Sequence, residues 1–179
     1  MLALCATLGT LVSGEEVFKE HDRHLGPARD IVILMFPLDI IVSSIAEKPM
    51  LAVEVRKNLG EGWAIGVQPA VVYYAPGSTL SDAHGGGLGL VLSGHWYEKR
   101  ALAGGFVTLQ VGDIEAFVGD EFGRTVGAAA IFGYALSWDD GAEVSIGLGF
   151  GYWHRMGVVG GGFTLPEILS WRLGVGWGW

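Results

Sequence analysis

A chain of 179 residues with a net charge of −8 is one domain long, and its acidity excludes a nucleic-acid partner, because phosphate binding needs a basic surface. Its 30 glycines are more than twice the usual share of about 7%, but they follow no triplet period and sit inside apolar runs, which excludes collagen and a flexible linker. The single cysteine, Cys5, excludes disulfides and cysteine metal sites.

Leu2 to Val12 is an apolar run of signal-peptide length, followed by the small residues Ser13 and Gly14. Residues 1–14 are therefore expected to be a signal peptide, truncated because the usual basic segment is missing; a buried apolar segment of a cytosolic protein is the alternative. Residues 15–29 are charged and contain Gly26-Pro27 near their end, as in a periplasmic leader, either loose or a short helix.

From Asp30 the texture changes to strand-length apolar runs separated by turn chemistry. Eight strands are expected, at 30–44, 49–56, 62–75, 85–98, 102–112, 124–138, 142–154 and 167–179. The first is apolar on both faces and broken by Pro37 and Asp39, so a kinked strand or a short helix both fit; its β-branched density favours strand. Asn58–Gly62, Lys99-Arg100 and Asp139-Asp140-Gly141 read as tight hairpin turns. Ala75–His84, Asp113–Gly123 and Arg155–Pro166 read as longer loops at the other end, where only Ala46–Pro49 is short.

Within these strands the period is two. In the seventh, Val144, Ile146, Leu148, Phe150 and Tyr152 share one face, and Glu143, Ser145, Gly147, Gly149 and Gly151 the other. In the eighth, Leu173, Val175, Trp177 and Trp179 oppose Arg172, Gly174, Gly176 and Gly178. The polar faces are too small and too sparsely charged to meet water as an exterior, but they suit the interior of a narrow barrel. Mean hydropathy is +0.41, yet after the N-terminus no apolar run reaches the roughly 18 residues of a spanning helix. A transmembrane barrel, whose strands need about 9–11 residues with alternate positions apolar, reconciles the two.

The aromatic residues gather at strand ends. Trp63, Trp96, Tyr97, Trp138, Trp177 and Trp179 fall at the short-turn end of an up-and-down path, and Tyr73, Tyr74, Tyr152, Trp153 and Trp171 at the opposite end. Two such girdles are expected where indole and phenol meet a lipid–water interface.

With these features the chain resembles the small Gram-negative outer-membrane β-barrels, most closely the eight-stranded ones of the OmpA and OmpX kind. Arg172, Gly174, Trp177 and Trp179 match the C-terminal pattern that such proteins present to the barrel-assembly machinery. The resemblance covers residues 30–179 in architecture, but only the last eight residues carry a motif. It implies an all-β, eight-stranded antiparallel up-and-down transmembrane barrel in the cell outer membrane. Its partners would be outer-membrane lipid and, during biogenesis, the assembly machinery and periplasmic chaperones.

Little catalytic chemistry is visible, and neither a cofactor nor a metal is expected. Small barrels that remove or transfer lipid A acyl chains use serine, histidine and a carboxylate. Here Ser93 and His95 face the same way, but Glu98 lies on the other face and a polar pair in the lumen is the simpler reading. His84 and His154 are isolated. Asp113, Glu115, Asp120 and Glu121 crowd one expected loop without the spacing of a calcium site. Glu54, Arg56, Glu143 and Arg172 all face the expected lumen, where opposite charges form an internal salt-bridge network. The functional expectation is a structural or partner-docking barrel without catalysis. Alternatives are a narrow pore for small solutes, a lipid A acyl hydrolase or transferase, and a soluble lipocalin-like barrel.

Overall fold

The computed structural model describes residues 29–37, 40, 50–74, 85–98, 102–157 and 170–179. Eight strands follow one another round a closed barrel: β1 (Ile31–Met35), β2 (Met50–Gly60), β3 (Trp63–Tyr74), β4 (Gly85–Tyr97), β5 (Gly104–Val118), β6 (Glu121–Ser137), β7 (Ala142–Gly157) and β8 (Ser170–Gly178). Each pairs antiparallel with the next, and β1 closes the ring against β8, with Val32 opposite Gly178 and Met35 opposite Val175. The last residue is part of this closure: Trp179 N donates to Ile31 O at 3.0 Å, and Trp179 O accepts from Asp30 N at 3.0 Å.

The alternation in the sequence becomes an inside and an outside. Val32, Leu34, Ala64, Tyr97, Phe106, Ile131 and Ala135 form an apolar cluster inside the barrel. The large aliphatic residues of β3, β4, β5 and β7, among them Ile65, Val67, Leu88, Leu90, Leu109, Val111, Ile146 and Leu148, face outwards and stand exposed. Among the described residues no helix is long and apolar enough to cross a membrane.

Two expected elements differ from the sequence reading. The expected first strand, 30–44, ends at Met35: Pro37 and Ile40 are helical, and Ile40 N donates to Phe36 O at 3.3 Å. Proline suits the first turn of a helix, where its missing N–H would have no partner in any case. The expected loop Asp113–Gly123 is mostly strand: β5 runs on to Val118 and β6 starts at Glu121, leaving only Gly119 and Asp120 between them. Asp113 and Glu115 occupy the outward positions of that extension, beside inward Ile114, Ala116 and Val118, so their charges never interrupt the period.

The turns at the other end are short, as their chemistry requires. Gly62 has φ +81°, and a Cβ there would stand 2.6 Å from Tyr97 O. Gly141 has φ +113°, and Asp140 Oδ1 accepts from Ala142 N at 3.1 Å. The expected signal peptide (1–14), nearly all of the leader (15–28), the Lys99-Arg100 turn, Ala46–Pro49 and Ala75–His84 lie outside the described residues, as do residues 158–166 of the last loop.

Candidate functional site: the polar interior

Alternation on five strands delivers one polar cluster to the barrel axis. Glu54 and Arg56 come from β2, Ser93, His95 and Tyr97 from β4, Thr108 from β5, Glu143 and Ser145 from β7, and Arg172 from β8. Glu54, Arg56, His95, Thr108, Glu143 and Ser145 have no exposed surface. Gly66 on β3 makes the space, because a Cβ there would collide with Ser93 Oγ and Glu54 Oε1.

Glu54 is the hub. Its Oε2 accepts from Arg56 Nε at 2.7 Å and from Arg172 Nη2. Its Oε1 accepts from the Ser93 hydroxyl at 2.7 Å and faces His95 Nε2 at 3.1 Å. Thr108 Oγ1 lies 2.8 Å from His95 Nδ1, so one tautomer satisfies the ring, with Nε2–H towards the carboxylate and Nδ1 accepting from Thr108. Arg56 Nη1 donates to Tyr97 Oη at 2.9 Å and faces Glu143 Oε1 at 3.5 Å. Arg172 packs its guanidinium over the Phe36 ring, 4.8 Å from the centroid. A buried network of this kind holds only when nearly every member is bonded, since each unpaired charge in a low dielectric is expensive.

This is not the geometry of a serine hydrolase. In a triad the carboxylate bonds Nδ1 and leaves Nε2 to take the serine proton. Here Ser93 Oγ, 2.8 Å from His95 Nε2, and Glu54 crowd the same nitrogen, while Nδ1 faces Thr108.

The short-turn end is clasped by Arg29. Its Nη1 donates to Gly178 O at 2.7 Å and its Nη2 to Trp138 O, while Asn58 Nδ2 donates to Arg29 O at 2.9 Å. Towards the opposite end the inner wall changes character. Gln68, Gln110, Trp153 and Ser170 face inwards yet are only half-buried. The Trp153 indole lies against Gly112, Gly127 and Gly151, where any Cβ would stand within about 3.2 Å of the ring.

Of the residues singled out in the sequence, Glu54, Arg56, Glu143 and Arg172 are brought together in the cluster. Gly174 faces inwards beside Ser145, and Trp177 and Trp179 face outwards. Trp63 and Trp96 are direct strand partners, exposed on the outer face near the short turns, where Trp138 and Trp177 also lie. Tyr73, Tyr152 and Trp171 are exposed on the outer face of the other half. Two aromatics are corrected. Tyr97 and Trp153 are not outer-face residues, because each directly follows one that is, Trp96 and Tyr152, and neighbours on a strand point opposite ways. Thr108 and Arg29 were missed: Thr108 carries no distinguishing pattern, and Arg29 closes a charged stretch that reads as leader.

Asp113 and Glu115 are outward strand residues, and Arg124 Nε donates to Asp113 Oδ1 at 2.9 Å. His154 stacks on Tyr152 at 6.4 Å, and His84 lies outside the described residues. Among the described residues no three metal-ligating side chains converge. No known protein family, curated protein or solved structure matches the chain.

Proposed function

We propose that the chain is an integral β-barrel of the Gram-negative outer membrane, inserted from the periplasm, with a structural or partner-docking role and no catalysis. The observation that carries this reading is the polarity of the wall. Large aliphatic residues cover the outside, while a charged and hydroxyl network shares the inside with an apolar cluster, so the charges face inwards where a barrel built for water carries them outwards. The aromatic residues at both ends of the apolar band, and strands of 12 and 13 residues in β3 and β4, fit a hydrocarbon layer crossed by about 9–11 tilted residues. Its partners are then outer-membrane lipid and, during biogenesis, chaperones and the assembly machinery acting on the strand that contains Arg172, Gly174, Trp177 and Trp179. The crowding of Ser93 and Glu54 on one histidine nitrogen favours this reading over a lipid A acyl hydrolase.

The test is extraction and electrophoresis of the expressed chain. We expect partition into the detergent phase, and faster migration in SDS before boiling than after, because a closed barrel resists SDS until heated. Recovery in the aqueous phase with one heat-independent mobility would overturn the membrane reading in favour of a soluble barrel. A narrow pore is the second reading, and the half-buried inward Gln68, Gln110 and Trp153 favour it. A steady single-channel conductance in planar bilayers would establish it.

A further inference from the structure

The inner wall changes along the barrel axis. Where Glu54, His95 and Thr108 stand, no side-chain surface is exposed. Nearer the end opposite the short turns, Gln68, Gln110, Trp153 and Ser170 face inwards and are partly exposed. Water therefore reaches into the barrel from that end as far as the charged cluster, and the space above the cluster is a vestibule. An eight-stranded barrel is just wide enough to hold one small ligand where its own side chains do not fill it. Here glycine thins the wall: Gly89 on β4, Gly112 on β5, Gly127 on β6 and Gly151 on β7 all occupy inward positions.

Three of these glycines lie under one side chain. Gln68, Val91, Gly112, Gly127 and Trp153 form a single row of paired residues from β3 to β7, all on the inward face. A Cβ on Gly127 would meet Trp153 Cδ2 and Cε3 at 2.5 Å, one on Gly112 would meet Cη2 at 2.9 Å, and one on Gly151 would meet Nε1 at 3.2 Å. Three atoms of the indole that do not lie on a line are each that close to the wall, so the indole is laid flat along it. One face covers glycine backbone, and the other looks into the vestibule. Hydrogen-bonding groups surround that face. The Cβ on Gly151 would also stand 2.8 Å from Ser170 Oγ, and Gln110 is the inward residue before Gly112. Gln68 ends the row on β3, four strands from β7 in a ring of eight, and so faces Trp153's strand across the lumen. Among the described residues, no hydrogen bond commits the Gln68, Gln110 or Ser170 side chain to a neighbour.

The face of an indole is electron-rich and attracts the positive ends of C–H bonds, while amides and hydroxyls both donate and accept. Together they select a ligand with one face of C–H bonds and a rim of neutral hydroxyls. We propose that the vestibule binds one pyranose ring of a neutral sugar, its axial C–H face stacked on Trp153 and its hydroxyls bonded to Gln68, Gln110 and Ser170. The site lies inside the barrel, so a failure to bind sugar leaves the membrane reading where it stands. The test uses the full chain folded in a polyoxyethylene detergent, which carries no sugar of its own, and saturation-transfer NMR with the methyl glycosides of glucose, galactose and mannose. At least one glycoside receives saturation, most strongly on its axial ring protons, and mannitol, an open-chain polyol without a ring face, receives none. Trp153→Leu abolishes the transfer and Gln110→Leu raises the half-saturating concentration several-fold, each with the strand circular dichroism of the parent. Trp171→Phe, the outward neighbour of Ser170, leaves binding unchanged. No transfer to any of the three glycosides, equal transfer to mannitol, or binding untouched by both Trp153→Leu and Gln110→Leu would each overturn the proposal. Transfer to choline in place of the glycosides would overturn it in favour of a cation on the same ring.

Discussion

Glu54 holds two arginines and a histidine on a single carboxylate, so the energetics of the interior depend on its charge more than on its shape. Glu54→Gln keeps the volume but replaces one acceptor oxygen with a donor amide, leaving Arg172 without its counter-charge and Arg56 with only Glu143 Oε1 at 3.5 Å. Breaking a buried pair from one side costs about 3–5 kcal/mol, because the stranded charge keeps its desolvation penalty. We therefore expect urea unfolding of refolded Glu54→Gln, followed by tryptophan fluorescence, to show a loss of that order. Asp113→Asn removes an exposed, outward partner of Arg124, where water and salt screen the charge, and is expected to leave the unfolding curve where it was. If the two substitutions had equal effects, the interior network would not be contributing in the way its geometry implies.

At the scale of the strand, the inner wall divides glycines into those that make room and those that do not. On Gly127 a Cβ would meet the Trp153 ring and Tyr152 O, both at 2.5 Å, and neither neighbour is free to yield. Gly94 faces outwards on β4 with nothing within 4 Å of the same position. Gly127→Val is expected to cost about 1–3 kcal/mol through overpacking, measured by the same unfolding assay, and to change the near-ultraviolet circular dichroism of Trp153. Gly94→Val, adding a β-branched residue to a strand with open space beside it, is expected to cost nothing. This division was half legible in the sequence. Period-two alternation shows which glycines face inwards, and so the eight strands and the shared face of Glu54, Arg56, Glu143 and Arg172 can be read directly. What lies opposite a glycine depends on register, and register is set by turn geometry and closure rather than by any one strand. The same limit explains Tyr97 and Trp153. Their parity was available from Ser93 and His95 and from Gly151, but clustering at strand ends treats neighbours as companions when the pleat sends them to opposite faces. The β5–β6 extension was hidden for a related reason: acidic residues read as loop, although on an outward face they are compatible with strand. The helical turn after Met35 had a visible signal in Pro37, but β-branched density argued the other way.

At the scale of the whole molecule, an apolar outer wall meets lipid in one setting and water in another, and one substitution separates these cases by size. Leu109 stands outwards on β5, 65% exposed, between the tryptophans near the short turns and the aromatics at the other end. In water, arginine at an exposed position without specific contacts changes stability by no more than about 0.5 kcal/mol. At the middle of a bilayer the same arginine costs about 2–4 kcal/mol, because its charge must be dragged from water into hydrocarbon or must pull water and headgroups inwards to meet it. Leu59, exposed at the end of β2 beside the Gly60 turn, provides the internal control. If lipid is the solvent, arginine there sits at the interface, where the cost falls to about 0–1 kcal/mol. Reversible unfolding in phospholipid vesicles should therefore rank Leu109→Arg well below Leu59→Arg, and the gap should close when both are measured in short-chain detergent, whose thin micelle lets the guanidinium reach water. Equal stabilities in vesicles would mean that the apolar band never meets hydrocarbon, and the inverted polarity of this wall would need an explanation other than a membrane.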